Sequence, residues 1–212
     1  MSFKIVFCFF MVALFCGCQS SDKELSPEKY TKWIFSKDHG LIKEKSVSNV
    51  KISVRFLPSQ YLAYREYINT EKSKPFDSIW VAYKCGLTFQ VTLEAEKNDA
   101  RYGNLMYYNI SSQPELTART QYLSFKIQEF IFLSRDETTI EPVLSNFEGF
   151  DQLGNKLSFQ VSFILPDYQC GQKNNNFKDF ALVFDDPFLD LGTNQFAFDS
   201  RSILDIPKLV NP

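Results

Sequence analysis

The sequence predicts a mainly β protein, an antiparallel β-sandwich with a few short helices at its periphery. Aromatic residues make up 16% of the chain, with 22 phenylalanines and 10 tyrosines, and these side chains favour half-buried strand faces. Several segments alternate apolar and polar residues, and turn signals separate them at intervals of roughly 8–20 residues. Because no long amphipathic helix alternates with these segments, a doubly wound α/β fold is not expected.

The first predicted element of the folded region is a helix. Ser26 and Pro27 form its start, because serine caps helices and proline fits the first helical position. Gly40 predicts the end of this helix. Its apolar face, at helical spacing, comprises Tyr30, Trp33 and Ile34.

The next elements are predicted to be a strand, a short helix and a second strand. Residues 47–57 alternate as a half-buried strand that Pro58 ends. Residues 79–96 contain the second strand, which is clearest at 87–94. The helix between them, at 61–68, is predicted to face the core with Tyr61, Tyr64 and Ile68.

In the second half of the chain the pattern predicts one strand after another. Short helices are predicted at residues 102–107 and 114–122. The strands are predicted at residues 125–128, 130–133, 140–147, 157–163, 180–184 and 195–198. The clearest is 157–163, where Ser158, Gln160 and Ser162 separate four apolar side chains.

The N-terminal stretch carries the clearest functional signal. Lys4 precedes an unbroken apolar run over residues 5–15, which is roughly 16 Å long as a helix and too short to span a membrane. That length fits the apolar region of an export signal. Gly17, small and directly before Cys18, predicts cleavage between the two. The predicted divisions of the chain are a signal peptide at 1–17, a lipid-anchored leash at 18–26 and a single β-rich globular domain at 27–212.

Residues 15–18, Phe-Cys-Gly-Cys, resemble the lipobox of bacterial lipoproteins, in which a Leu-(small)-(Gly/Ala)-Cys pattern marks the lipidated cysteine. Phe15 stands where leucine is usual, and Cys16 where a small residue is usual. Residues 19–24 look like the acidic tails of surface-exported lipoproteins of Bacteroidota-type bacteria, and the mature region is loosely similar to uncharacterised lipoproteins of these bacteria. The resemblance implies acyl chains, palmitate among them, on Cys18. It also implies anchoring to the outer membrane, on its periplasmic or its surface face.

Two cysteines, Cys85 and Cys170, remain for the folded domain once those of the signal are set aside. Such a pair can form a disulfide in an oxidising compartment. The bridge would close a loop of roughly 86 residues, worth about 4.6 kcal/mol in the loop-entropy model. The alternative is two buried free thiols, and the sequence leaves both open.

Composition and motifs argue against several functions. The net charge is −2 and the sequence contains no basic block, so nucleic acid is not an expected partner. His39 is the single histidine of the chain, and it is predicted to be a solvated turn residue. A zinc site or a histidine-activated nucleophile is therefore not expected. The sequence has no glycine-rich phosphate-binding loop, and no cofactor is predicted.

Carboxylates are the remaining source of catalytic or metal-binding chemistry. Asp185, Asp186 and Asp190 lie around Pro187 at the end of a predicted strand. Oxygen ligands at such close spacing suit Ca²⁺, which makes the three residues a candidate calcium site. Aspartate and proline also form ordinary turns, so the alternative is a turn that holds no metal.

These observations predict a lipid-anchored envelope protein whose β domain binds or scaffolds other envelope components without catalysis. One alternative is a carbohydrate-binding accessory lipoprotein. Another is an envelope hydrolase, which would need two carboxylates facing each other across a cleft. A row of exposed aromatic rings would favour a glycan partner, and an apolar patch would favour a protein partner. The tyrosines considered for such a row are Tyr102, Tyr107 and Tyr108.

Overall fold

The computed structural model describes residues 24–96, 104–150, 155–165, 167–168 and 176–212. Within these ranges the protein is mainly β, as predicted, with two antiparallel sheets and one short parallel pair. The strands are β1 (Glu24–Leu25), β2 (Ile42–Val47), β3 (Val50–Leu57), β4 (Leu87–Ala95), β5 (Ile131–Arg135), β6 (Thr138–Ile140), β7 (Leu144–Phe150), β8 (Lys156–Phe163), β9 (Phe180–Asp185), β10 (Thr193–Phe198) and β11 (Lys208–Leu209).

The larger sheet has the strand order β2-β3-β4-β8-β7, and the smaller has the order β10-β9-β5-β6. The strands that alternate most clearly in sequence lie at the centre of the larger sheet. There β4 and β8 pair in register, with Phe89 opposite Val161 and Val91 opposite Phe159. Strands β1 and β11 pair in parallel at the two ends of the described chain.

The helices are short and lie around the sheets: α1 (Pro27–Ile34), α2 (Ser59–Asn69), α3 (Phe76–Tyr83), α4 (Gln113–Phe125) and α5 (Ser200–Leu204). Helix α1 begins where Ser26 and Pro27 predict, although the Ser26 side chain makes no capping hydrogen bond. It ends at Ile34, earlier than predicted. Gly40, with φ of 73° in the left-handed region, ends the separate 3₁₀ turn Lys37–His39.

The two antiparallel sheets pack face to face through a cluster of phenylalanine rings centred on Phe89. The Phe89 ring lies 5.4 Å from Phe56 and 6.0 Å from Phe163 within its own sheet, measured between ring centres. In the opposite sheet it meets Phe180 at 5.9 Å and Phe198 at 5.1 Å. Edge-to-face contacts at such distances stabilise a core beyond simple burial. The sandwich is therefore held by aromatic residues from both sheets.

Three local predictions are wrong. Residues 76–83, partly assigned to a strand, form α3, and the strand begins at Leu87. Residues 125–128 continue α4 and then form a 3₁₀ turn, because Leu123 and Ile127 bury one helical face. Ile68 is exposed, because α2 turns Leu62 and Ala63 to the core instead.

Candidate functional site

Four large apolar side chains are exposed around the start of β7, and we call them the hydrophobic edge patch: Phe125, Val143, Leu144 and Ile164. Their exposed fractions are 73%, 62%, 60% and 56% in that order. They come from the end of α4, the start of β7 and the residue after β8. Strand β7 is the outermost strand of the larger sheet, and an apolar sheet edge readily takes a partner or aggregates.

A hydrogen-bonded side chain joins the end of α4 to β7. Gln128 donates from Nε2 to the carbonyl of Phe125 (2.8 Å) and accepts at Oε1 from the hydroxyl of Ser145 (2.8 Å). Helix α4 also packs against β7 directly. The exposed ring of Phe125 is therefore held close to the start of the edge strand.

The register between β7 and β8 explains why two patch residues share a face. Leu144 lies opposite Ser162 in the ladder, and the amide of Val143 donates to the carbonyl of Ser162 (2.8 Å). Ile164 follows Ser162 by two residues, so its side chain extends the same face. The residues on either side of Ile164 are buried. Leu144 and Ile164 consequently lie on the face of the sheet that points away from the core.

Charged and hydrogen-bonded side chains border the edge patch. Lys126, Glu129 and Glu141 are exposed. The Lys126 ammonium lies 5.5 Å from the centre of the Tyr122 ring, and the Tyr122 hydroxyl donates to Glu129 (3.3 Å). An apolar centre with a polar rim is the usual anatomy of a protein–protein interface, so the arrangement suits a protein partner.

A second apolar surface is formed by α2 and α3, which pack against each other and which we call the α2–α3 hairpin. A groove of about 390 Å³ runs between this hairpin and the C-terminal strand β11. Phe76, Trp80, Leu209 and Val210 supply much of its apolar wall, and Asp77 supplies a carboxylate. No second carboxylate side chain lines the groove within the described part of the chain.

Two side-chain hydrogen bonds fix the geometry of the hairpin. The indole N–H of Trp80 donates to the hydroxyl of Ser59 (3.0 Å). The hydroxyl of Tyr83 donates to Glu66 (2.5 Å). Burial, together with the carboxylate of Glu66, raises the pKa of Tyr83 to about 12. The phenol therefore stays protonated, and remains a donor to Glu66, at physiological pH.

Asp186, one of the candidate calcium ligands, organises the loop between β9 and β10. Its carboxylate accepts backbone N–H groups of Leu189 (2.7 Å), Leu191 (2.9 Å) and Phe188 (3.2 Å). Burial raises the pKa of Asp186, and these three donors partly oppose that effect. Its oxygens thus hold the backbone of the turn.

The other two carboxylates of the candidate calcium site also have partners within the protein. Asp185 accepts from the hydroxyl of Thr193 (2.7 Å), and Asp190 accepts from the hydroxyl of Tyr108 (3.0 Å). In the described ranges, no group of three or more His, Cys, Asp or Glu side chains is placed to hold a metal ion. The calcium hypothesis stays a prediction, and these contacts fit the alternative of a turn.

Arg119 is a buried cation next to this loop. Its Nη1 donates to the carbonyls of Tyr108 (2.6 Å) and Met106 (3.3 Å), and its guanidinium lies 5.0 Å from the centre of the Phe188 ring. Burial lowers the pKa of Arg119, and the charge of Asp186 opposes the shift. The adjoining cavity of about 10 Å³ has room for about one water. Arg119 therefore connects α4 to the 3₁₀ turn Leu105–Tyr107 that precedes it.

The remaining sequence-predicted residues have mixed outcomes. Cys85, two residues after α3, is disulfide-bonded. Cys170 and Cys18 lie outside the described residues, so the Cys85–Cys170 pairing and the lipidation of Cys18 stay predictions. His39 is not simply solvated, because its ring stacks on Trp33 with 3.9 Å between centres and 11° between planes.

The predicted row of aromatic rings is described only in part. Tyr107 is exposed, the Tyr108 hydroxyl is bonded to Asp190, and Tyr102 lies outside the described residues. The sequence does not predict the edge patch. Phe125, Val143 and Leu144 fall in predicted strands and Ile164 directly follows one, and these segments are distant in the chain, so only the exposure of the side chains reveals the patch.

Comparison with known proteins identifies no relative. No family model matches the chain, and no curated protein or solved structure matches it. Among the helices in the described ranges, none has the length and apolar character needed to cross a bilayer.

Proposed function

We propose that the protein is a lipid-anchored component of the bacterial outer membrane, attached through Cys18, whose β-sandwich domain binds a protein partner without catalysing a reaction. The export signal and the lipobox-like residues 15–18 support the anchoring. The predicted leash at 18–26 is shortened by β1, which begins at Glu24, only six positions after Cys18. The domain would consequently stay close to the membrane.

The hydrophobic edge patch is the observation that carries the binding function. Single exposed apolar side chains are common on soluble proteins. Here four large ones lie around one end of a sheet-edge strand, with Leu144 and Ile164 on its outward face and Phe125 beside its core-facing side, and exposed charged residues are close to them in sequence. Covering such a patch removes apolar area from water, which is the main driving force of protein association.

The anchoring half of the proposal is tested by Cys18→Ala. We expect the variant to move from the membrane fraction to the soluble fraction, because it has no site for acylation. Unchanged fractionation would contradict lipid anchoring at this residue.

The binding half is tested by comparing partners captured from membranes. The double variant Leu144→Glu/Ile164→Glu places charge on the edge patch, and Val81→Glu is the matched control because Val81 is exposed to a similar degree on α3. We expect the same protein to be recovered with the wild type and with Val81→Glu, and to be lost with the double variant. Equal recovery with all three would overturn the role of the patch.

The carbohydrate-binding alternative predicts a different outcome in the same variants. A glycan bound in the groove beside β11 would be retained by the Leu144→Glu/Ile164→Glu variant, because neither residue lines that groove. Binding of soluble envelope glycans that survives this change, without any captured protein, would favour the alternative.

A further inference from the structure

The position at which the chain enters the domain determines which side faces the membrane. Strand β1 pairs with β11, and the amide of Val210 donates to the carbonyl of Leu25 (3.0 Å). Next to it, the amide of Leu209 donates to the side chain of Gln60 on α2 (2.9 Å). The chain therefore enters the domain beside the α2–α3 hairpin.

The leash is too short to let the domain move far from its anchor. The six residue steps from Cys18 to Glu24 reach at most about 20 Å when fully extended. Residues of α3 line the same groove as residues 209–212. Helix α3 therefore lies on the side of the domain where the leash joins β1. This surface would be held next to the lipid head groups.

Helix α3 exposes one large apolar side chain, beside the exposed Asp77 and Ser78. Of its residues, Ile79 is buried, while Val81 is 57% exposed and Ile68 of the neighbouring helix is 44% exposed. A surface helix of a soluble domain usually presents polar residues opposite its buried stripe. The outward apolar residues of the hairpin suit an environment less polar than water.

Aromatic rings, lysines and two exposed carboxylates, those of Glu71 and Asp77, surround these residues. Trp80 and Tyr67 are half-buried rings on the hairpin, and such amphipathic rings concentrate at the head-group level. Lys72 and Lys74 are exposed in the connecting loop. Lysine stems can lie along apolar surface while their ammonium groups stay among phosphates. Because the hydrogen bonds of Trp80 and Tyr83 already order the hairpin, little conformational freedom is lost on contact.

We propose that the α2–α3 hairpin is a second, non-covalent contact with the bilayer, with Val81 of α3 inserted at the boundary between head groups and acyl chains. This proposal rests on the lipid anchoring proposed for Cys18. The contact would orient the domain on the membrane and leave the hydrophobic edge patch for a protein partner.

Tryptophan fluorescence tests the proposal directly, since the chain has two tryptophans. Trp33→Phe leaves Trp80 as the reporter in the hairpin, and Trp80→Phe leaves Trp33, which is stacked on His39. The lipidated proteins are reconstituted into phosphatidylethanolamine vesicles with or without bromine on the acyl chains. We expect bromine on the acyl chains to quench the emission of Trp80 and the emission to shift to the blue, because the helix is buried at the head-group/acyl boundary, and we expect Trp33 to be nearly unchanged.

The disrupting variant Val81→Glu, made in the Trp33→Phe protein, should remove most of the quenching while near-ultraviolet circular dichroism stays native. Flotation of each protein with the vesicles measures anchoring separately. A protein that floats but shows no quenching of Trp80, or equal quenching of both tryptophans, overturns the hairpin contact alone. A correctly acylated protein that does not float overturns the anchoring, and the hairpin contact with it.

Discussion

The hydrophobic edge patch and the α2–α3 hairpin both expose large apolar side chains, but their surroundings differ. The patch lies at the outermost strand of the larger sheet and is bordered by charged residues of both signs. The hairpin lies beside the first described strand and carries aromatic rings, lysines and the exposed carboxylates of Glu71 and Asp77. The difference shows that exposure alone does not identify a partner. Chain connectivity and neighbouring chemistry favour a protein at the patch and a bilayer at the hairpin.

The largest expected effect is on the free energy of unfolding, and it distinguishes the core from the two surfaces. Phe89→Ala removes the ring that joins the two sheets and should cost about 3–5 kcal/mol of unfolding free energy. Phe125→Ala, at an exposed ring of the patch, should change stability by no more than about 0.5 kcal/mol. Urea denaturation of the two variants measures both values. Similar losses would mean that Phe125 is part of the core and that the patch is not a surface.

A smaller loss of unfolding free energy is expected on replacing Arg119, which connects α4 to the 3₁₀ turn before it. Arg119→Met leaves the carbonyls of Tyr108 and Met106 without their charged donor and should cost about 2 kcal/mol. Because α4 carries Phe125, partner binding at the patch should weaken while quenching of Trp80 is unchanged. The control Arg201→Met, at an exposed residue, should be near neutral. Equal effects on both surfaces would break the distinction between them.

The two surfaces should respond to charge independently. Leu144→Glu/Ile164→Glu should weaken partner binding at least about tenfold, since burying unpaired charge in an interface is unfavourable by more than about 1.4 kcal/mol. Quenching of Trp80 should not change. Val81→Glu should give the opposite pair of results, measured by titration of the captured partner and by fluorescence. One variant that abolishes both readouts would indicate a single shared surface.

The smallest expected effect comes from replacing Asp186 in the loop between β9 and β10. The replacement should change the pH dependence of stability without changing either surface. Burial raises the pKa of Asp186 above its ordinary value of 3.8, so the folded state holds this proton at a pH where the unfolded state has released it. Its contribution to unfolding free energy therefore falls as pH rises from the unfolded pKa through the folded one, and it stays low above that window.

The measurement is the pH dependence of stability for the wild type and for Asp186→Asn. Relative to the variant, the wild type should lose stability as pH rises through that window. Exposed carboxylates with lowered pKa, such as Asp179 and Glu44, give the opposite slope but are common to both proteins. Parallel curves would mean that Asp186 ionises as it does in the unfolded chain.

The strands that alternate cleanly could be predicted because one of their faces is buried. Residues 87–94 and 157–163 become neighbouring central strands, and their apolar positions meet in the core. Helix α3 could not be predicted in the same way. Ile79, Trp80 and Val81 are adjacent apolar residues typical of strands, and packing against α2 determines their helical state.

The surfaces were harder to predict than the core. The edge patch combines residues 125, 143–144 and 164, which only the pairing of β7 with β8 and the position of α4 bring together. Ile68 has the helical spacing of a core residue, yet α2 rotates Leu62 and Ala63 inward. Sequence periodicity identifies which residues share a face, but the packing of the whole domain decides which face is covered.

Photo-crosslinking in cells that make the lipidated protein compares the two surfaces most directly. Leu144 and Val81 are replaced in turn by a photo-reactive amino acid, and adducts are identified by mass spectrometry. We expect a defined protein adduct from position 144 and lipid adducts from position 81. A protein adduct from position 81 with none from position 144, or the same adduct from both, would contradict this expectation.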